Sequence, residues 1–208
     1  MIDFRLYLIT DRKLIADRYS LIAAVRQALK GGVKAIQLRE KDLDTRELLK
    51  LAYKMREMTR KYNAKLFIND RIDVALAAGA DGVHLTQNSI PAGAVRKVVK
   101  NKLLVGVSTH SLKEAKEAEK AGADFITFGP IYNTPSKLKY GKPLGLKKLE
   151  EVSGKIKIPV FALGGIKIHR VKTVIKAGAY GVAMISGIFG AGDIEEKAKE
   201  IIYLTKGN

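Results

Sequence analysis

Four stretches of this chain resemble one another: GGVKAIQL (31–38), AGADGVHL (78–85), AGADFITF (121–128) and AGAYGVAM (177–184). Each reads as the end of a helix, a turn of small residues and then an apolar strand. The glycine suits the left-handed conformation that caps a helix. The apolar run suits a strand buried on both faces, as strands of a parallel sheet are. A chain that repeats this sequence of features is confined to parallel β/α architectures, which wind into an open sheet or close into a barrel.

Hydrophobic period fills the intervals and gives eight strands, at 5–10, 35–39, 65–69, 82–85, 103–108, 125–129, 159–164 and 181–186. Helices are expected between them, for example over 45–62, 111–121 and 169–177, with a closing helix over 194–205. In the second of these, Leu112, Ala115 and Ala118 form one apolar stripe opposite Lys113, Glu114, Lys116 and Glu117. Eight units of even length favour closure, so the expectation is a single (β/α)8 TIM barrel spanning residues 1–208. An open doubly wound sheet is disfavoured, because no GxGxxG follows the first strand. With 208 residues, against about 250 for a typical barrel of this kind, the loops must be short.

Composition narrows the chemistry. There is no cysteine, which excludes disulfides and thiolate metal sites. His84, His110 and His169 lie far apart in sequence, so any metal should be a hard cation held by oxygen. No apolar run approaches the roughly 18 residues of a membrane span. The opening MIDFRLYLIT lacks the layout of a signal peptide, and a cytoplasmic location is expected. The net charge of +17 recurs in every helix without an aromatic platform, which reads as solvated faces rather than a nucleic-acid surface. Such a field would still draw phosphate-bearing substrates.

In barrels the chemistry gathers where strands end. Here those ends carry Thr10-Asp11-Arg12, Gln37 to Lys41, Asn69-Asp70-Arg71, His84 to Ser89, Ser108-Thr109-His110, Gly129 to Lys137, Gly164-Gly165 and Ser186-Gly187. Gln37 and Arg39 are two apart on a strand and should both face the barrel interior, with Lys41 continuing that face. An inward arginine needs an anionic partner. Arg39 and Lys41, with Lys137 from the long loop after the sixth strand, suit a diphosphate. Gly164-Gly165 with Ser186-Gly187 suit the phosphate cup of backbone N–H groups common in barrels. Asp70 is the carboxylate placed to hold Mg²⁺. Plainer readings stand beside these: an Arg39–Glu40 surface ion pair, turn glycines at 164–165, Asp70 as a helix N-cap, and packed structural histidines at 84 and 110. No nucleophile–base pair is evident, and the equipment suits departure of a diphosphate.

The pieces YLITD, QLREK, FINDRIDVALAAGADGVHL, GVSTH, FGPIYNTPSK, IPVFALGGI and AMISGIF run along essentially the whole chain. Together they resemble the thiamine phosphate synthase family. That resemblance implies an enzyme that joins a pyrimidine methyl diphosphate to a thiazole phosphate, releasing diphosphate after ionisation of the pyrimidine. It places the pyrimidine diphosphate contacts on Gln37, Arg39, Lys41, Asn69, Ser108 and Lys137, with Lys137, Ser108 and Arg39 nearest the chemistry. It places the thiazole phosphate contacts on Thr134, Ser136, Gly165, Ile185 and Ser186, and Mg²⁺ on Asp70.

One position departs from the family pattern. The family's second Mg²⁺ ligand is an aspartate after the fourth strand, and Ser89 stands there in Thr86-Gln87-Asn88-Ser89. A neutral hydroxyl is a poorer ligand for a hard cation than a carboxylate. The related thiazole tautomerase family also lacks that aspartate, but its proton-moving histidine falls on Pro130 here. Three readings therefore stay open at this point: synthase, tautomerase-like isomerase, and a silent binder of thiamine precursors. A homo-oligomer is compatible with all three, and the Lys- and Pro-rich segment 133–143 is expected to act as a lid.

Overall fold

The computed structural model describes residues 2–15, 20–134 and 142–206. Eight parallel strands follow chain order around a closed barrel. They are β1 (Leu6–Ile9), β2 (Ala35–Leu38), β3 (Lys65–Asn69), β4 (Gly82–Leu85), β5 (Leu104–Thr109), β6 (Phe125–Phe128), β7 (Val160–Leu163) and β8 (Gly181–Met184). Pairing of Leu6, Tyr7 and Leu8 with Val182, Ala183 and Met184 closes the ring. Around it lie α1 (Leu21–Lys30), α2 (Thr45–Lys61), α3 (Ile72–Ala77), α4 (Ala92–Val99), α5 (Leu112–Lys120), α6 (Gly145–Lys155), α7 (Val171–Lys176), α8 (Ser186–Phe189) and α9 (Ile194–Thr205). The barrel expected from the repeats is the fold. Among the described residues no helix is long and apolar enough to cross a membrane.

Two local differences matter for the site. The strand expected to run to Ser186 stops at Met184, because Ile185 (φ −120°, ψ −88°) leaves the extended region and Ser186 begins the short α8. The helix expected over 169–177 is divided into a 3₁₀ turn at Ile168–Arg170 and α7.

The strands are packed on both faces. Outward side chains such as Leu8, Ile36, Leu66 and Ile126 join the helices' apolar stripes in one continuous shell. Inward side chains form a separate, mostly aromatic core of Phe4, Tyr7, Phe67, Phe125 and Phe161 with Ile2, Ile9, Ala35 and Ala183. Phe4 sits among the other four rings, with centroids 5.2–5.9 Å away. Neighbouring strands supply glycine to make room. A Cβ on Gly82 would lie 2.4 Å from the Phe67 ring, and one on Gly106 would lie 2.4 Å from Phe125. The interior is thus filled by complementary large and small residues, as in barrels generally.

The AGAD repeats have a structural purpose at the base. Asp81 accepts the Leu66 N–H at 2.7 Å and pairs with Arg56 of α2 through two bonds of 2.6 and 3.2 Å. Asp124 does the same two units later, accepting the Val105 N–H at 2.6 Å and pairing with Arg96 of α4. Each aspartate ties the entry of one strand to the preceding strand and to an outer helix. Such charge-assisted bonds each contribute about 1.5–3 kcal/mol.

Candidate active site

The inward alternation of β2 is present. Gln37 is buried and its Nε2 donates to the Tyr7 hydroxyl at 3.1 Å, inside the barrel. Arg39, two residues on, is half-buried, and its charge acts on His84 across the barrel. Glu40 takes another course. Its carboxylate is buried and accepts the Thr10 hydroxyl at 2.6 Å, the Arg12 N–H at 3.2 Å and the Arg12 guanidinium at 3.3 Å. Arg12 extends to Asp42 at 2.8 Å. No Arg39–Glu40 ion pair forms, and among the described residues Arg39 has no carboxylate within ion-pair distance.

Beneath Arg39 lies a floor of polar side chains. His84 is 2% exposed, its Nδ1 3.3 Å from the Tyr7 hydroxyl and its Nε2 3.0 Å from Ser108 Oγ. The Thr127 hydroxyl donates to Ser108 Oγ at 3.4 Å. Burial first, and the Arg39 charge second, push the His84 pKa from its ordinary 6.5 to about 3, so the imidazole is neutral. Burial likewise raises that of Tyr7. His84 is therefore packed, as one reading held, and it is bonded to a predicted site residue. Tyr7 and Thr127 escaped the sequence reading. The available signal was parity: each is a polar residue on the inward face of an otherwise apolar strand.

At the end of β3, Asn69 Oδ1 is buried with no hydrogen-bond partner among the described residues. Asp70 adopts φ +65° and is exposed, its N–H donating to the His84 carbonyl at 2.9 Å. It does not cap α3, whose N-cap is Arg71 without a side-chain bond. Its carboxylate is left at the mouth. Ser89 is turned into its own loop, where its Oγ accepts the Thr86 N–H at 2.7 Å and lies 3.1 Å from Thr86 Oγ1. Among the described residues no group of three or more His, Asp or Glu gathers as a metal cage. The donor set, one carboxylate beside an unsatisfied amide oxygen, fits Mg²⁺ that takes its other ligands from substrate phosphate and water.

The second predicted anion site is assembled from β6, β7 and β8. Gly164 (φ +96°) and Gly165 (φ +64°) pass under the loop after β6, where a Cβ on Gly165 would lie 2.7 Å from the Asn133 carbonyl oxygen and from Tyr132 Cβ. The turn thus requires glycine at both positions. Arg170 donates to the Gly165 carbonyl at 2.8 Å and lies over the Tyr132 ring. Thr134 Oγ1 is buried without a partner among the described residues. Ile185 leads into α8, whose first residue, Ser186, is exposed and has no intrahelical acceptor for its N–H. Lys41 is exposed. Ser136, Lys137 and most of the expected lid lie outside the described residues.

A cleft of about 360 Å³ also opens at the barrel base, lined by Asp3, Lys34, Arg56, Arg60, Lys65 and Asp81. Its charges have local work: Arg56 holds Asp81, Lys34 Nζ donates to the Tyr62 carbonyl at 2.9 Å, and Lys65 faces Asp3. Cations are also favoured beside the C-terminus of α2. The base is a structural seam in which Arg56 Nε is also buried without a partner among the described residues; Asn69 Oδ1 and Thr134 Oγ1 lie at the other end.

The model of a family described as thiamine monophosphate synthase matches residues 6–188. The chain belongs to that family. A protein of Geobacter sulfurreducens described as a putative thiamine-phosphate synthase is 51% identical over 203 residues, covering 98% of this chain and 95% of the relative. The thiamine-phosphate synthase of Clostridium novyi is 44% identical over 200 residues, covering 96% and 98%. Among solved structures, a thiamine phosphate pyrophosphorylase from Pyrococcus furiosus superposes with a TM-score of 0.89 at 39% identity, covering 98% of this chain and 96% of that one. These relatives are described as synthases, which favours the synthase reading over the tautomerase one, and the local chemistry agrees. Position 130 is proline, and His110, the remaining proton carrier there, is engaged with the Gly129 carbonyl through Nδ1.

Proposed function

We propose that this chain joins 4-amino-2-methyl-5-(diphosphooxymethyl)pyrimidine to a thiazole phosphate, forming thiamine phosphate and releasing diphosphate, with Mg²⁺ assistance. The observation that carries this reading is Arg39: a cation on the inward face at the barrel mouth, without a carboxylate partner among the described residues, above a neutral polar floor. Family membership supplies the reaction class, and this cation answers its need for an anion holder.

In this reading Gln37, Asn69 and Ser108 orient the pyrimidine. Arg39, Lys41 and Lys137 neutralise the diphosphate as the carbon–oxygen bond opens. Thr134 and Ser136 with the backbone around Gly165, Ile185 and Ser186 hold the thiazole phosphate, so that its ring nitrogen faces the carbon being vacated. Asp70 would hold Mg²⁺, which supplies further charge neutralisation on the departing diphosphate. A cytoplasmic location goes with such an enzyme.

The test is incubation of the purified protein with both substrates, with and without Mg²⁺, followed by chromatography for thiamine phosphate. Stoichiometric thiamine phosphate and diphosphate, formed only with Mg²⁺, is the expected result. Absence of product while both substrates bind would overturn the assignment.

A further inference from the structure

The hydrogen bonds of the barrel floor set the direction in which Ser108 bonds. Gln37 Nε2 can only donate, so the Tyr7 oxygen accepts from it at 3.1 Å. Among the described residues the Tyr7 hydrogen then has one neighbouring acceptor, His84 Nδ1 at 3.3 Å. A buried hydroxyl left without an acceptor would cost about 1–3 kcal/mol, which selects this direction. With Nδ1 accepting, the ring cannot carry a proton on both nitrogens, so its single proton sits on Nε2 and donates to Ser108 Oγ at 3.0 Å. Thr127 donates to the same oxygen. Both lone pairs of Ser108 are then occupied from below, and its own hydrogen has no direction left except the mouth.

We propose that His84 is a positioning residue, whose Nε2–H tautomer, set by Gln37 through Tyr7, commits the Ser108 hydroxyl to act as a hydrogen-bond donor toward a substrate acceptor atom. The proposal rests on the synthase reading for the identity of that substrate, but not for the order of the protons. Ser108 meets an acceptor, such as a ring nitrogen or a phosphate oxygen, and rejects an analogue that presents a donor at that point. His84 itself neither gives nor takes a proton during turnover.

The first experiment needs no activity. With three histidines in the chain, ¹⁵N-imidazole spectra of the labelled protein at pH 7 resolve the state of each ring, and His84→Gln assigns its signal. The expected pattern for His84 is a neutral ring protonated on Nε2. A ring protonated on Nδ1, or on both nitrogens, would overturn the proposal. The second experiment is a double-mutant cycle on synthase turnover. Losing one such hydrogen bond should lower kcat about tenfold in His84→Leu and in Ser108→Ala, and the double variant should lose no more than Ser108→Ala alone. His84→Gln, whose amide can accept from Tyr7 and donate to Ser108, should restore most of the rate. Multiplicative losses, or no rescue by glutamine, would refute the arrangement. If the unaltered protein made no thiamine phosphate, the synthase reading would fall while the spectrum still decided the proton order.

Discussion

The Thr10 hydroxyl lies 2.6 Å from a Glu40 carboxylate oxygen, with both side chains closed off from solvent. The same hydroxyl oxygen accepts the Arg39 N–H at 2.9 Å. One side chain at the end of β1 thereby fixes the backbone that carries Arg39, the cation proposed to hold the diphosphate, at the end of β2. Thr10→Val keeps the shape and removes both bonds. The expected loss of stability is about 1–3 kcal/mol, read by urea unfolding. KM for the pyrimidine diphosphate should rise while that for the thiazole phosphate stays put; an equal rise in both would contradict this role.

Ser89 stands where a second metal carboxylate is expected, and its oxygen is occupied by the Thr86 N–H. Ser89→Asp puts a carboxylate on the loop after β4, the strand next to the one that Asp70 follows. The Mg²⁺ concentration giving half-maximal diphosphate release should fall roughly tenfold, since ligand charge governs affinity for hard cations. An unchanged Mg²⁺ titration would mean that position 89 does not face the metal.

Gly165 combines a positive φ with a floor of Tyr132 and Asn133 directly beneath it. Gly165→Ala should cost about 1–3 kcal/mol from backbone strain and overpacking. Because the displaced segment leads to Thr134, binding of the thiazole phosphate should weaken more than binding of the pyrimidine. Calorimetric titration with each substrate checks the contrast.

Buried neutral His84 also makes stability depend on pH. Unfolded, this imidazole protonates near 6.5; folded, it stays neutral to about 3. Below pH 6.5 the unfolded chain therefore binds the extra proton, and stability falls toward pH 3 by up to about 1.4 kcal/mol per unit. Above pH 6.5 the residue contributes no slope. His84→Leu should flatten the dependence between pH 6.5 and 4, measured as unfolding midpoints across a pH series. Asp42 and Asp73, held below the ordinary carboxylate range by bonds from Lys13 and Arg71, act in a lower window.

The barrel was legible because its strands are buried on both faces and punctuated by glycine turns; Lys65–Asn69 and Gly82–Leu85 match their expected limits. Gln37 and Arg39 were legible because strand parity survives folding. The fate of Glu40 was not, because its partner Arg12 lies 28 residues away on another loop, and nothing local to QLREK announces it. Tyr7 and Thr127 were hidden for a related reason. Each looks like ordinary core filling until the register shows which side chains share a level. Ser186 was assigned to a strand because the apolar run continues through Ile185, where the backbone turns away.

The paired arrangements Arg56–Asp81 and Arg96–Asp124 fasten one rim of the barrel independently of the other. These ties lie at the end of the barrel away from Arg39 and Asn69, so they hold the strand entries whatever side chains stand at the mouth. A residue such as Ser89, whose bonds lie within its own loop, can then differ from the family pattern while the base still holds the strands together.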